Sequence, residues 1–345
     1  MNPARYAVIG RGWRAKFFVR LARLMPERFC VTGNVTRAAD LAELVRVGRP
    51  EFVVTAVPWA ANPGYVEELV GRGVAVLSET PPAPDLAGLR ALWSRVGASG
   101  LVQVAEQYLL LPGHAARLSL VSGGIIGTPT SAQLSSTHGY HAVSVLRGML
   151  AVGFADATVQ ARAFTAPLAD PLTRDGWRGA ETVRDAATTI ATLDFGTATG
   201  LYDFTDNQWW NPLRARRIVV RGSHGELVDD RVVRLADPRS PVESVLLRRQ
   251  TGRDLNLEGA DLDHISFDGE VVYRNPFAGA RLSDEDIAIA TMLERTVRWR
   301  RGEGPAPYPL AEACQDHLIA LAIEESAATG EAVTTGREGW AGAAR

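Results

Sequence analysis

The chain has 345 residues, 46% of them hydrophobic and 22% charged, an ordinary globular balance with room for about two domains. Lys plus Arg (37) nearly cancel Asp plus Glu (39), giving a formal charge of -2, so composition excludes a nucleic-acid footprint and a polybasic membrane face. Cys30 and Cys314 are too few for a disulfide framework and lack metal-ligand spacing; no metal is expected, and a reducing, cytoplasmic setting is the default. The first residues run directly into a strand-like segment without a signal-peptide layout, and no apolar stretch reaches the ~18 residues of a membrane span.

In chain order, short apolar runs alternate with helical patterns up to about residue 120. Strands are predicted near Tyr6–Ile9, Cys30–Val35, Phe52–Val57, Val74–Leu77 and Val102–Ala105. Helices fall between them over Trp13–Met25, Asp40–Val47, Pro63–Gly71 and Asp85–Val96. This layout produces a parallel sheet covered on both faces, with ligands at its carboxyl edge. After about Ser122 the texture changes. A strand near Thr130–Ser136 and an apolar helix over His141–Leu150 precede strand-like segments at 158–164, 187–195, 198–204, 217–221 and 243–249. Runs of strands with few helices predict a largely antiparallel sheet, hence an α+β second domain over 121–333. Helices near Asp284–Arg300 and Leu310–Thr329 close it, and 334–345 read as a flexible tail.

Val8-Ile9-Gly10-Arg11-Gly12-Trp13-Arg14-Ala15 is a G-x-G-x-x-A pattern that follows the first strand and opens the first helix. Gly10 permits the tight turn, Gly12 lets backbone approach a pyrophosphate, and Ala15 allows close helix-to-strand packing, which together point to a dinucleotide on the helix amides. Arg11, Trp13 and Arg14 are candidate flanking contacts, and Pro58 is another, in the turn after the third strand. At the end of the second strand, Gly33-Asn34-Val35-Thr36-Arg37 contains no carboxylate for the ribose hydroxyls. Thr36 and Arg37 suit a 2′-phosphate, so NADP(H) is favoured and NAD(H) stays open.

Three later segments carry a family resemblance. Gly71 to Pro81, ending Glu79-Thr80-Pro81, resembles the segment that ends Glu-Lys-Pro in the glucose-fructose oxidoreductase, inositol dehydrogenase and MocA-like family. Thr137-His138-Gly139-Tyr140-His141 resembles its Asp-x-Gly-x-His element, and Gln315 to Val333 resembles its closing helix. The resemblance covers nearly the whole chain. It implies a Rossmann domain followed by an α/β domain with an open sheet, NAD(P)-dependent redox chemistry on sugars, cyclitols or related compounds, and a homodimer or homotetramer. By position Glu79 is the family's Glu, with a cofactor role, and His141 its catalytic His. Thr80 stands where the family has Lys, and Thr137 where it has Asp.

Reduction of a carbonyl needs a proton at the developing alkoxide, and a threonine hydroxyl is too weak an acid to cycle one. His141 is therefore the expected general acid and base, with Tyr140 a second candidate donor and Thr80 and Thr137 orienting the substrate oxygen. Glu106, Tyr108, His138 and Trp209 are candidate substrate contacts. The spacing from Thr36 to Glu51 holds only one helix, so the sheet is expected to be one strand narrower than the family's. The leading reading is hydride transfer between a nicotinamide and a carbonyl, alcohol or imine carbon of a small polar substrate. Its rivals are a non-catalytic NADP(H)-binding sensor or assembly subunit, and an enzyme that uses NAD(P) transiently for elimination.

Overall fold

The computed structural model describes residues 2–173, 176–252 and 256–342. It opens with β1 (Ala4–Ile9), α1 (Trp13–Leu24), β2 (Phe29–Val35), α2 (Leu41–Gly48), β3 (Phe52–Thr55), α3 (Asn62–Gly71), β4 (Val76–Ser78), α4 (Leu86–Val96), β5 (Val102–Val104) and α5 (Pro112–Ser122). The strands form a five-stranded parallel sheet, β2-β1-β3-β4-β5. Side chains alternate between its faces. Tyr6, Val8, Phe52 and Val54 join a core with Phe18 and Leu21 of α1, while Ala7, Ile9 and Val53 join a second core with Leu41, Leu69 and Leu89. Burial on both faces explains why these strands read as continuous apolar runs.

The sheet ends at β2, and the short stretch from β2 to β3 holds one α-helix, α2, as the spacing predicts. The helix α5 was not predicted; its usable signal is Pro112 at the first helical turn, where a missing N–H costs nothing.

The second half contains β6 (Pro129–Ser135), α6 (Gly139–Leu150), β7 (Thr158–Ala169), β8 (Leu172–Thr173), β9 (Gly176–Trp177), β10 (Val183–Asp194), β11 (Thr199–Thr205), β12 (Arg217–Gly222), β13 (Gly225–Val228), β14 (Arg231–Asp237), β15 (Ser240–Val245), β16 (Leu247–Thr251), β17 (Asp261–Phe267), β18 (Glu270–Arg274), α7 (Asp284–Arg300), α8 (Leu310–Thr329) and β19 (Val333–Thr334). Nine strands form one sheet, β15-β14-β13-β12-β6-β11-β10-β7-β19, antiparallel throughout except for the β6–β11 pair. The α/β-then-α+β fold expected from the sequence is the fold observed. The helices α6 and α8 cover one face of the large sheet. On the other face Phe164, Ile190 and Leu201 are exposed.

The helix α7 carries its own start signal. Ser283 caps Asp286 N at 3.2 Å, and Asp284, Glu285 and Asp286 fill the first turn, opposite in sign to the N-terminal end of the helix dipole.

Residues 334–342 correct the expected tail. Thr334 pairs with Thr158 across the sheet edge, and Trp340 is buried against Trp93 with its indole N–H donated to Gln315 Oε1 at 2.9 Å. The small, polar neighbours of Trp340 set the compositional impression, whereas one large apolar ring sets the packing.

Candidate active site

The carboxyl ends of β1, β3, β4 and β5 bring Gly10, Pro58, Glu79 and Glu106 to one edge of the parallel sheet. Gly10 has φ +129°, and a Cβ there would stand 2.1 Å from the Ala56 carbonyl oxygen, so only glycine lets this turn pass the loop after β3. At Gly12 a Cβ would meet nothing within 4 Å, which leaves an open approach in front of α1. That helix has no side-chain cap and no acidic residue in its first turn. A cradle without side chains before an uncapped helix start fits a pyrophosphate, and the residues present fit a dinucleotide cofactor. At the far end of the sheet, Thr36 and Arg37 are exposed, with Arg37 Nε 3.2 Å from Asp40 Oδ2. Arg11 is exposed as well, and Trp13 lines the cavity described next.

A cavity of about 860 Å³ lies between the sheet edge and the second domain, within the range of small-molecule sites. Trp59, Glu79, Thr80 and Tyr108 line its parallel-sheet side, and His138, Tyr140, His141 and Trp209 its second-domain side. The aromatic wall is continuous: His138 stands edge-on to Trp209 at 4.9 Å, Trp209 stacks on Trp210 at 5.3 Å, and Tyr108 tilts over His141 at 4.4 Å.

Behind this wall sits the chemistry. His141 Nδ1 and Glu106 Oε2 are 2.5 Å apart, both buried, and Glu106 Oε1 accepts from Tyr108 N at 3.0 Å. Burial opposes charge on either partner, raising the Glu106 carboxyl to about 8 and lowering the His141 imidazole to about 3. With charge disfavoured on both partners, the neutral arrangement has the carboxyl O–H donating a hydrogen bond to Nδ1. The imidazole then carries its own proton on Nε2, which has no hydrogen-bond partner among the described residues.

Glu106, expected to touch substrate, is instead set behind His141. It is 2% exposed and faces only a small void shared with Asp316. Thr137 is also corrected. It is fully buried near the Tyr108 phenol and does not line the cavity, so it cannot orient a substrate oxygen. Tyr140 does line the cavity, but burial raises its phenol well above the ordinary value, which leaves it a hydrogen-bond donor rather than a proton-cycling acid. Burial lowers His138 to about 3, so its ring is neutral at physiological pH.

Arg14, read as a phosphate contact, is committed elsewhere. Its Nε lies 2.6 Å from Glu79 Oε1, its Nη2 2.7 Å from Gln107 Oε1 and its Nη1 3.0 Å from Glu285 Oε1. Gln107 and Glu285 were missed as site residues. Glu285 is brought in by the packing of α7 on α1, across 271 residues of sequence, and no local signal marks it. Asn62 was missed too. It accepts from Thr55 Oγ1 at 2.7 Å and donates to Ser78 Oγ at 2.8 Å and the Pro82 carbonyl at 3.1 Å, fixing the turn that carries Glu79 and Thr80.

No family model and no curated relative matches the sequence. Solved structures match in shape over nearly the full length. One is an NAD-binding oxidoreductase from Klebsiella pneumoniae, at TM-score 0.67 and 15% identity, over 98% of this chain and 100% of that one. Another is levoglucosan dehydrogenase in complex with NADH and levoglucosan, at TM-score 0.63 and 16% identity, over 96% and 98%. A third is an oxidoreductase from Agrobacterium radiobacter in complex with NAD+, L-tartaric acid and magnesium, at TM-score 0.63 and 18% identity, over 95% and 97%. The chain therefore has the two-domain fold of nicotinamide-dependent oxidoreductases. The resemblance to the glucose-fructose oxidoreductase, inositol dehydrogenase and MocA-like family holds at the level of fold. Among the described residues no helix is long and apolar enough to cross a membrane.

Proposed function

We propose that the protein is an NAD(P)-dependent oxidoreductase acting on a carbonyl, alcohol or imine carbon of a small polar, sugar- or cyclitol-like substrate. The observation that carries this reading is the Glu106–His141 pair, whose imidazole lines the same cavity as Trp13 and Arg14, the residues that follow the glycine turn. The nicotinamide, when bound, would supply or accept a hydride. The chain's part is to bind, orient and move one proton. His141 Nε2 gives its proton to the substrate oxygen while Nδ1 takes the carboxyl proton of Glu106. The pair ends as a carboxylate and a neutral imidazole, so no imidazolium forms in the buried site. In the oxidative direction the same two shifts run in reverse.

The intact pair favours an enzyme over a non-catalytic cofactor sensor, despite the absent lysine and aspartate. Exposed Thr36 and Arg37, with no carboxylate at the end of β2, support a preference for NADP(H) over NAD(H). The open apolar face of the large sheet supports a homodimer or homotetramer, which light scattering on the eluted protein would show.

The test is to mix the purified protein with NADPH and a panel of keto-sugars, inososes and imines and follow the nicotinamide absorbance. Turnover should appear and should fall by roughly 10²-fold or more in His141→Ala. Turnover that survives this change removes His141 as the proton donor.

A further inference from the structure

The sequence leaves this site without the lysine of the family pattern, and the one lysine present, Lys16, is exposed on α1. We propose that Arg14 is the cationic catalytic residue of the site, holding with its uncommitted N–H groups the substrate oxygen that His141 protonates. This assignment rests on the oxidoreductase reading above.

Three observations carry it. First, Arg14 and His141 line the same cavity, with Thr80, Tyr108 and Tyr140 around them. Second, the guanidinium is held at every nitrogen by a different element: Glu79 after β4, Gln107 after β5 and Glu285 at the start of α7. A guanidinium has five N–H donors, so these bonds fix its plane and leave one on each terminal nitrogen. Third, the other cavity arginines, Arg117 of α5 and Arg216, Arg217 and Arg248 of the second domain, lie outside the sheet edge that carries Glu79 and Thr80, and Arg216 donates to the Trp209 carbonyl. Arg117 is held by the Asp229 carbonyl and Asp230, and Arg248 forms a fork on Asp284.

Glu79 and Glu285 offset part of the Arg14 charge. Glu285, however, is 40% exposed and screened by water, and Glu79 bonds at Nε, which leaves a second N–H on each terminal nitrogen uncommitted. As a carbonyl carbon receives a hydride, the π pair of the C=O bond moves onto oxygen. Donors fixed in place beforehand hold that charge without reorganising, until the Nε2 proton completes the alcohol. A lysine could both hold the oxygen and protonate it. Arginine cannot give up its proton, so the two tasks are divided between Arg14 and His141.

The experiment compares wild type, Arg14→Lys and Arg14→Met, with Arg14→Gln as the substitute if Arg14→Met does not fold. Melting and NADPH titration are run on each. Arg14→Met should keep its coenzyme affinity but lose roughly 10² to 10³ in kcat, with little change in KM, because an oxyanion donor acts mainly in the transition state. Arg14→Lys should recover part of the loss. A kcat within threefold of wild type in Arg14→Met overturns the assignment.

A second readout needs no substrate. The pair is surrounded by Arg14, Glu79, Glu285, Tyr108, Tyr140 and His138, with Tyr308 and Asp316 behind Glu106 and Asp316 paired to Arg147; Arg14 is the cation that acts on both Glu106 and His141. Removing its charge should move the pH midpoint of the His141 ring-nitrogen NMR signals upward by about one unit or more. An unmoved midpoint also overturns the assignment. If wild type binds NADPH but reduces nothing in the panel, the oxidoreductase reading fails while the NMR midpoint still decides whether Arg14 is the cation of the site.

Discussion

Replacing Glu106 with Gln preserves the shape of the side chain and removes the proton that the pair holds in reserve. Burial raises the Glu106 carboxyl from 4.5 to about 8. At about 1.4 kcal/mol per unit, ionising it in place costs on the order of 5 kcal/mol more than in water. The carboxyl is therefore protonated at neutral pH and supplies Nδ1 as Nε2 releases its proton. Without it, His141 stands alone with an imidazole lowered to about 3, and donation from Nε2 leaves an unsupported anion. Glu106→Gln should lower reductive kcat by roughly 10² to 10⁴, the range for a lost general acid.

The sign with pH follows from the same proton. Reduction consumes it, so wild-type reductive kcat should fall as pH rises through about 8, and oxidative kcat should rise through the same region. In Glu106→Gln that limb should disappear. Steady-state rates from pH 6 to 10, with folding checked by circular dichroism, measure both effects. A variant that keeps its rate within threefold together with the limb near pH 8 would refute the proton-relay reasoning.

Other consequences are independent of turnover. Because the folded-state value of Glu106 is raised, its contribution to stability is fully present below 4.5 and is lost as pH rises through about 8. The melting temperature should drop over that window in wild type and drop less in Glu106→Gln. Gly12→Val should melt like wild type, since its Cβ meets nothing, yet bind NADPH at least about tenfold more weakly in calorimetry. Gly10→Ala, forced to φ +129° with its Cβ against the Ala56 carbonyl, should lose stability as well. Arg37→Ala should weaken NADPH by roughly tenfold or more and leave NADH unchanged, as expected for a lost charge-assisted phosphate contact. Trp340→Ala should cost about 3–5 kcal/mol in denaturant unfolding, although it lies at the end of the chain.

The parts of this molecule that were legible in sequence are those set by local periodicity and local turn chemistry. The glycine turn, the apolar strands and the two closing helices belong to this group, and so does the single α-helix between β2 and β3, because the short spacing there is itself a local quantity. His141 and Glu106 could be named singly from motif position and strand end. Their pairing could not, since it depends on how α6 packs against the end of β5 across 35 residues. The same reason accounts for Arg14. Its place in the turn pointed to phosphates, whereas the carboxylates and the amide that hold it come from three distant elements. Thr137 was misplaced because a motif position specifies a backbone site and not whether its side chain faces cavity or core. Trp340 was lost among small residues whose average composition hides one buried ring.

The most direct test of the account is a structure of the chain with NADPH. The pyrophosphate should lie before the start of α1 beside Gly12, and the nicotinamide in the cavity between Glu79 and His141, with room above its ring for a substrate oxygen in reach of Nε2. A coenzyme bound elsewhere, or a nicotinamide ring walled off from His141, would contradict it.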